Sequence, residues 1–481
     1  VPLLAVAGIF LLAAVGPARA ATTWHVRTNG SGNFTTIQAC VNAMAPGDTC
    51  LVGAGSYSER VTFPSSKSGH AGALTVIQAE TNLTATNWGF DTTGASYIRI
   101  QGFYVALTSS LTGWNNGVGI LVNGNNIQVV SNYVFNTHYP GVLGTGLNAL
   151  IASNHMYMCG IGIWINGGGW LVEGNEVERP QYFSEIGDAD FMRFFGTNQE
   201  IRGNYSHGCI ESEIGPAHVD GFQTYDDNGD LCQHIRIEGN RVEGYFRQGV
   251  IMEATNYSNA FDIVICNNIF SGSNSSWALF ESAGLRQVDF YNNDVVNMDC
   301  GVYMDPSVPC DIRNNIFYGT DCFSLGSQAT GGSNLLYMAG TSVSALFPGD
   351  LVNVDPQFVN ATNFDYHLHT NSPAINLGAT LATVTNDLDG VPRPQGAAYD
   401  IGAYEYTTNV SAAVPAISVR GQGATLSITL NGQPGRSYFL RSTTDFKTWS
   451  VVTNVSLGTP SMVISQPTPG NRLYYRALLA Q

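Results

Sequence analysis

The feature that most constrains this chain is an asparagine that recurs at the end of short β-branched runs. It closes VVSN (Asn132), IASN (Asn154), VEGN (Asn175), IRGN (Asn204), IEGN (Asn240), VICNN (Asn267, Asn268), FYNN (Asn292, Asn293) and IRNN (Asn314, Asn315). Counted from the last asparagine of each group, the steps are 22, 21, 29, 36, 28, 25 and 22 residues. A period of that length, built of short strands with no helical pattern, predicts an all-β solenoid, a parallel β-helix with three strands per coil. An asparagine at a fixed corner can take the left-handed conformation and bond its neighbour one coil away. A β-propeller would need repeats of about 40 residues, and a TIM barrel would need helices between the strands.

The steps from Asn175 to Asn204 and from Asn204 to Asn240 are the two longest. Extra residues in a solenoid lie in loops on one face, often the binding face. These two steps also hold the densest ionisable cluster, including Glu185, Asp188, Asp190, Arg193, His207, Glu211, Glu213, His218, Asp220, Asp226, Asp227 and Asp230.

Aligning the strand before each corner gives GIWIN (162–166), FMRFF (191–195), GFQTY (221–225), GVIME (249–253), WALFE (277–281) and GVYMD (301–305). Side chains alternate along a strand. With the second and fourth positions inside, two outward ladders result: Trp164, Arg193, Gln223, Ile251, Leu279, Tyr303, and Asn166, Phe195, Tyr225, Glu253, Glu281, Asp305. Just upstream, Asp188 aligns with His218 and Asp190 with Asp220. Neighbouring coils lie about 4.8 Å apart, so Asp190 and Asp220 stand close enough to share a proton or a metal. Carboxyls at about 5–5.5 Å suit a retaining glycosidase. With Asp188 they would also suit Ca²⁺, which takes several oxygen ligands. The competing reading is structural, because stacked Asp and Asn corners satisfy backbone amides. His218 divides evenly between a catalytic and a hydrogen-bonded corner role. Arg193, among aromatics at an outward position, is placed to bind a carboxylate or a sugar. Glu253 and Glu281 have the competing reading of a solvated rim. Trp164, Tyr225 and Tyr303 are candidates for stacking on sugar rings.

The ends differ from the repeat. NFTTIQACVNAMAPGDTC (33–50) predicts a short capping helix with Thr35 or Thr36 as N-cap. NDLDGVPRPQGAAYDIGAYEY (386–406) is expected to close the solenoid, so that the β-helix with its cap spans 21–406. A linker over 407–415 and a small β-sandwich over 416–481 follow. The apolar run Leu3–Val15 ending in Ala18-Arg19-Ala20 predicts a secretory signal over 1–20. The expected location is therefore extracellular or at the cell surface. Export permits disulfides, and Cys40–Cys50 and Cys209–Cys232 are the local pairs expected among nine cysteines. The formal charge is −16 and the only lysines are Lys67 and Lys447. That excludes the cationic field a nucleic acid needs and disfavours anionic membranes. No later segment is apolar enough to insert into a membrane, and a monomer is expected.

TIQACVNAMAPGDTCLVGAGSYSERV, followed by SGHAGALTVIQAE, resembles the opening of secreted β-helix polysaccharide lyases of the chondroitinase B/alginate lyase and pectate lyase groups. DYHLHTNSPAINLG with DLDGVPRP and DIGAYE resembles the terminal region of secreted right-handed β-helix proteins. The resemblance covers residues 24 to about 405 and implies a right-handed parallel β-helix working on carbohydrate. Many such lyases use a lysine or arginine base. No lysine occupies the candidate groove, which leaves Arg193 or Arg247. The N-T-D, G-H-G and R-I-K elements of β-helix polygalacturonases are missing, as are the paired glutamines of pectin methylesterases. Three hypotheses follow. The first is a Ca²⁺-assisted lyase of a uronate polysaccharide, with Asp188, Asp190 and Asp220 on the metal, Arg193 or His218 as base, and Tyr225 assisting the leaving oxygen. The second is a glycoside hydrolase using two of Asp190, Asp220 and Glu253. The third is a glycan-binding protein without catalysis.

Overall fold

The structure is a computed structural model. It describes residues 19–480 apart from 108–110, 227–228, 254–258, 273–275, 283–284, 408–415, 423–424, 432–436, 444–449, 457–460 and 468–473. Residues 1–18 of the expected signal segment 1–20, Asp227 and nearly all of the expected 407–415 linker therefore lie outside the described residues.

Short strands of two to eight residues stack in parallel register into three sheets, the first two joined through the longer strand Asp190–Arg202 into one 23-stranded array and the third 13-stranded. One coil shows the plan. Val142–Gly144 belongs to the first sheet, Leu150–Ala152 to the second and His155–Tyr157 to the third. Each pairs in parallel with its equivalent one coil on, Ile161–Gly168, Leu171–Glu173 and Glu176–Glu178. The third sheet runs from Gly55–Ser56 to Leu351–Val352. The protein is a parallel β-helix. Its interior is a column of Ile, Val, Leu, Phe and Met side chains at or near zero exposure, continuous from Val26 to Leu336. Because a parallel coil has no hairpin to fix its register, that alternating apolar column does so.

The asparagines form the predicted ladder at the corner between the second and third sheets. Asn240 is typical. Its N and Nδ2 donate to Asn268 Oδ1 (2.9 and 3.0 Å), and Nδ2 also donates to Ile201 O (2.8 Å). Its Oδ1 accepts the same pair from Asn204. The ladder runs one rung past the predicted series, to Asn334, and ends on Asp350. One expectation is corrected. The left-handed residue is the one before each rung: Ser131, Ser153, Gly174, Gly203, Gly239, Asn267, Asn292, Asn314 and Ser333 all have positive φ. The rung itself must face inward with its amide among backbone groups, so the sharp turn falls one residue earlier.

The helix Ile37–Ala43 caps the first coil. Thr36 is the N-cap, its Oγ1 accepting from Ala39 N (3.3 Å). The 386–406 segment does not close the end of the solenoid, as its turn-rich composition suggested. It returns along the ladder corner and lies against earlier coils. Asn267 and Asn292, the first residues of their doublets, donate from Nδ2 to Asn386 O, and to Asp400 O and Gly402 O. Asn314 Nδ2 donates to Ala379 O (2.8 Å). Tyr366, Leu388, Ala403 and Tyr404 pack there against Ile269 and Val296. At the C-terminus, two three-stranded antiparallel sheets enclose Leu430, Tyr438 and Val455, the small sandwich expected. All nine cysteines are unbridged. Cys40 and Cys50 stand in contact, whereas Cys209 lies by Glu211 and Glu213 and Cys232 by Thr224. The expected Cys209–Cys232 pair is thus not formed. No helix among the described residues is long and apolar enough to cross a membrane.

Candidate functional site

The two long coil steps arise largely at one corner, between the third and first sheets. There the connection 179–189 spans eleven residues and 208–221 fourteen, against three for 158–160. Both rise beside the outer face of the first sheet, which is where the candidate residues gather. Ile214 and Val219 sink into the core and hold the second loop down, leaving His218 exposed beside Val219. Arg247, also exposed, follows on the next coil, where its N donates to Val219 O (2.6 Å).

Register on the first sheet brings Trp164, Arg193, Gln223 and Ile251 into one outward column, as aligned from the sequence. The next strand departs from it. Phe280, not Leu279, pairs with Ile251 and Tyr303, while Leu279 pairs with Val250 and Val302 and is fully buried. The strand Trp277–Glu281 is thus shifted by one residue, which reverses every side chain on it. Glu281 consequently turns inward beside Met252 and Met304, is fully buried, and accepts from Asp305 N (3.1 Å). It does not line the groove, which corrects its place among the outward residues. Phe280 takes the outward place aligned for Leu279, stacked on Tyr303 at 4.7 Å, with Trp277 5.5 Å from the same tyrosine.

Arg193 is the centre of the site. Its Nε donates to Asp190 Oδ2 (2.7 Å), and its Nη2 reaches Asp188 Oδ2 (2.5 Å) and Asp190 Oδ2 (2.6 Å). The guanidinium carbon lies 4.9 Å from the Trp164 ring centre and 5.6 Å from that of Tyr225, and Nη1 is 3.4 Å from the Tyr225 hydroxyl. Burial alone would lower the arginine, but Asp190, Tyr225 and Asp188 hold it above its ordinary value. The aromatic surface extends on both sides. Trp164 lies 5.4 Å from exposed Trp114, and Phe195 lies 5.0 Å from Tyr225. Gln223 follows Arg193 in register, with its Oε1 buried and unpaired. Glu253 is exposed beside Tyr225, and Asn166 donates to Asp230 Oδ2 (2.9 Å).

Asp190 and Asp220 do align, and both are fully buried. Each accepts a backbone amide from the following coil: Asp190 Oδ1 from Asp220 N and Asp220 Oδ1 from Gln248 N, both at 3.0 Å. They form a second, shorter ladder, the structural alternative the alignment left open. Burial pushes Asp190 up to about 6 against the pull of Arg193. Burial and the neighbouring Asp190 raise Asp220 well above the carboxylate range, and its Oδ2 has no hydrogen-bond partner. Asp190 is therefore the carboxylate partner of Arg193, while burial and the neighbouring Asp190 oppose a charge on Asp220.

Sequence reasoning missed Trp114, Trp277 and Phe280. Trp114 lies outside the aligned strands, and the other two were hidden by the phase shift. It aligned Asp188, Asp190 and Arg193, but spacing did not reveal that they pair with one another.

The fold has a counterpart among solved structures. The pectate lyase Pel9A superposes with a TM-score of 0.54 over 81% of this chain and 97% of its own, at 16% identity. The chain shares the fold of a pectate lyase. At that identity the likeness is one of fold, and no residue role carries across. XylC in complex with xylose (TM-score 0.40, 10% identity, 92% of this chain and 100% of that one) and a mannuronic acid specific family 6 polysaccharide lyase from human gut microbiota (0.37, 12%, 66% and 65%) add nothing to the assignment. No protein-family model and no curated protein matches the sequence.

Proposed function

We propose that the protein is a secreted, carbohydrate-active enzyme that binds a uronate-containing polysaccharide across the first sheet and cleaves it by β-elimination. The observation that carries the reading is Arg193. A guanidinium fixed between two aromatic rings, with Nη1 turned toward Tyr225, is built to receive a carboxylate while sugars stack alongside. The pair with Asp188 and Asp190 makes Arg193 a binding group rather than a base, since it is held protonated. A charge-assisted hydrogen bond from Nη1 to the uronate carboxylate would draw charge from it and make the C5 proton more acidic. His218 on the exposed edge is the group to remove it, and the Tyr225 hydroxyl is placed to protonate the leaving oxygen. Trp164 and Tyr303 would carry flanking sugars.

Asp188, Asp190 and Asp220 do not fit Ca²⁺. Two of them already share the single positive charge of Arg193, and burial opposes a charge on the third, so the arginine stands where the cation would. Hydrolysis by Asp190 and Asp220 is disfavoured for the same reason, because neither carboxyl reaches the surface. The test is incubation with a panel of uronate polysaccharides, following ultraviolet absorbance of the unsaturated product and new reducing ends together. A rise in absorbance that persists with chelator and is lost in His218→Ala supports the proposal. Reducing ends without absorbance would shift the assignment to hydrolysis, and binding with neither product would leave a glycan-binding protein.

A further inference from the structure

The outer face of the third sheet carries a cluster unrelated to the groove. His155, Glu176 and Tyr205 share one outward column across three coils, and Tyr157, Glu178 and His207 share the next. The intervening Met156, Val177 and Ser206 point inward. Nitrogen and carboxylate atoms of His155, Glu176 and Glu178 all lie within 4.8 Å of one another. His207 Nε2 is 2.8 Å from Glu176 Oε1.

His155 is what singles the cluster out. It is only 5% exposed, yet neither ring nitrogen has a hydrogen-bond partner. Nε2 is 3.0 Å from Glu178 Oε2 and Nδ1 is 3.7 Å from Glu176 Oε2, but neither contact is aligned as a hydrogen bond. A buried imidazole with two acidic neighbours and no directed bond is unusual, since buried polar groups are nearly always satisfied. The protein already places one cation there. Arg441 of the C-terminal sandwich donates from Nη1 to Glu176 Oε1 (2.6 Å), and its Nη2 contacts Glu176 Oε2.

We infer that His155, Glu176, Glu178 and His207 form a transition-metal site, with Zn²⁺ the ion that fits, and that Arg441 stands in for the metal when it is absent. Two imidazoles and two carboxylates match the nitrogen and oxygen ligands of a four-coordinate zinc centre and are too few oxygens for calcium. A tetrahedral ion with bonds of ~2.0 Å spaces its ligand atoms by roughly 3.3 Å, which side-chain rotation within this cluster reaches. The site lies on a different sheet from the groove and does not depend on the proposed activity.

The experiment is calorimetric titration of the full chain with Zn²⁺, with Co²⁺ as a spectroscopic probe. One saturable equivalent and the visible bands of tetrahedral Co²⁺ are expected. Glu178 is partly exposed, so Glu178→Gln should leave the fold intact, checked by circular dichroism, and weaken binding by ~tenfold or more; His155→Ala should abolish it. Arg441→Ala should tighten Zn²⁺ binding by ~tenfold, because no guanidinium has to be displaced. Absence of stoichiometric binding, variants at 155 and 178 that bind like the parent, or an unchanged affinity in Arg441→Ala would each overturn the assignment.

Discussion

Arg193 and Asp220 lie in adjacent coils of the same site, yet substitution should separate their roles. Arg193→Ala removes the guanidinium that faces both Trp164 and Tyr225, and it leaves Asp190 buried without its cation. Loss of a charge-assisted contact of this kind should lower kcat/KM by about 10²-fold or more. Arg193→Lys should not restore it, because a point charge cannot engage Asp188, Asp190 and Tyr225 together. Steady-state rates on whichever polysaccharide is cleaved will check both. Asp220→Asn should behave differently. Burial and Asp190 already disfavour a charge on its carboxyl, and an amide oxygen can still accept from Gln248 N, so the melting temperature and the activity should both stay near those of the parent. A large loss of activity in that variant would place Asp220 in the chemistry after all. In the ladder, Asn240→Ala leaves the backbone and side-chain donors of Asn204 and the carbonyl of Ile201 unsatisfied in a fully buried corner. A cost of about 2–4 kcal/mol is expected in urea unfolding.

Strands and turns were legible in the sequence to different depths. The recurring asparagine revealed the coil, because a buried amide that must bond its own image one turn away leaves a periodic mark. The phase of most first-sheet strands was legible from apolar alternation. It failed at Trp277–Glu281, where Trp, Leu and Phe are apolar on both faces and a glutamate points inward, so alternation carried no information. The returning segment was misplaced for a related reason. Its composition marks turns, but nothing in it says which surface those turns lie on. The doublets did hold a clue. Asn267, Asn292 and Asn314 stand where Ser or Gly precedes the rung in earlier coils; the first two reach the returning segment with their side chains, and Asn314 reaches Ala379 just before it. Arg393 fastens that segment, fully buried against Glu405 and donating to Asn267 Oδ1 (3.1 Å) and Gly402 O (2.8 Å). Arg393→Ala strands the Glu405 charge and should destabilise the protein by about 3–5 kcal/mol, measured by thermal or denaturant unfolding.

Over the whole molecule, buried carboxyls set the response to pH. Burial pushes Asp294 up to about 7 and Asp190, Asp387 and Asp400 up to about 6. Between about pH 4 and pH 7 the folded chain therefore holds more protons than the unfolded one, and stability falls as pH rises. His367 acts in the same direction. Burial opposes its charge, but hydrogen bonds to Asp365 and Asp389 outweigh that and raise it to about 9, so its contribution is complete below its unfolded value and lost through 9. His155, lowered by burial to about 4, opposes them. The melting temperature should be higher at about pH 5 than at about pH 8, and a scanning calorimetry series showing the reverse would contradict these assignments. The fold was written in the sequence many times over, once per coil, whereas the groove is written once, in side chains whose partners only the register reveals. The ladder has one further consequence. Every interior rung gives to the rung ahead and receives from the rung behind in the same way, and only Phe103 at one end and Asp350 at the other do anything different. A whole coil of about 22 residues could therefore be duplicated or deleted in the interior without stranding a single amide, and the length of the groove can change in fixed increments while its terminators stay as they are.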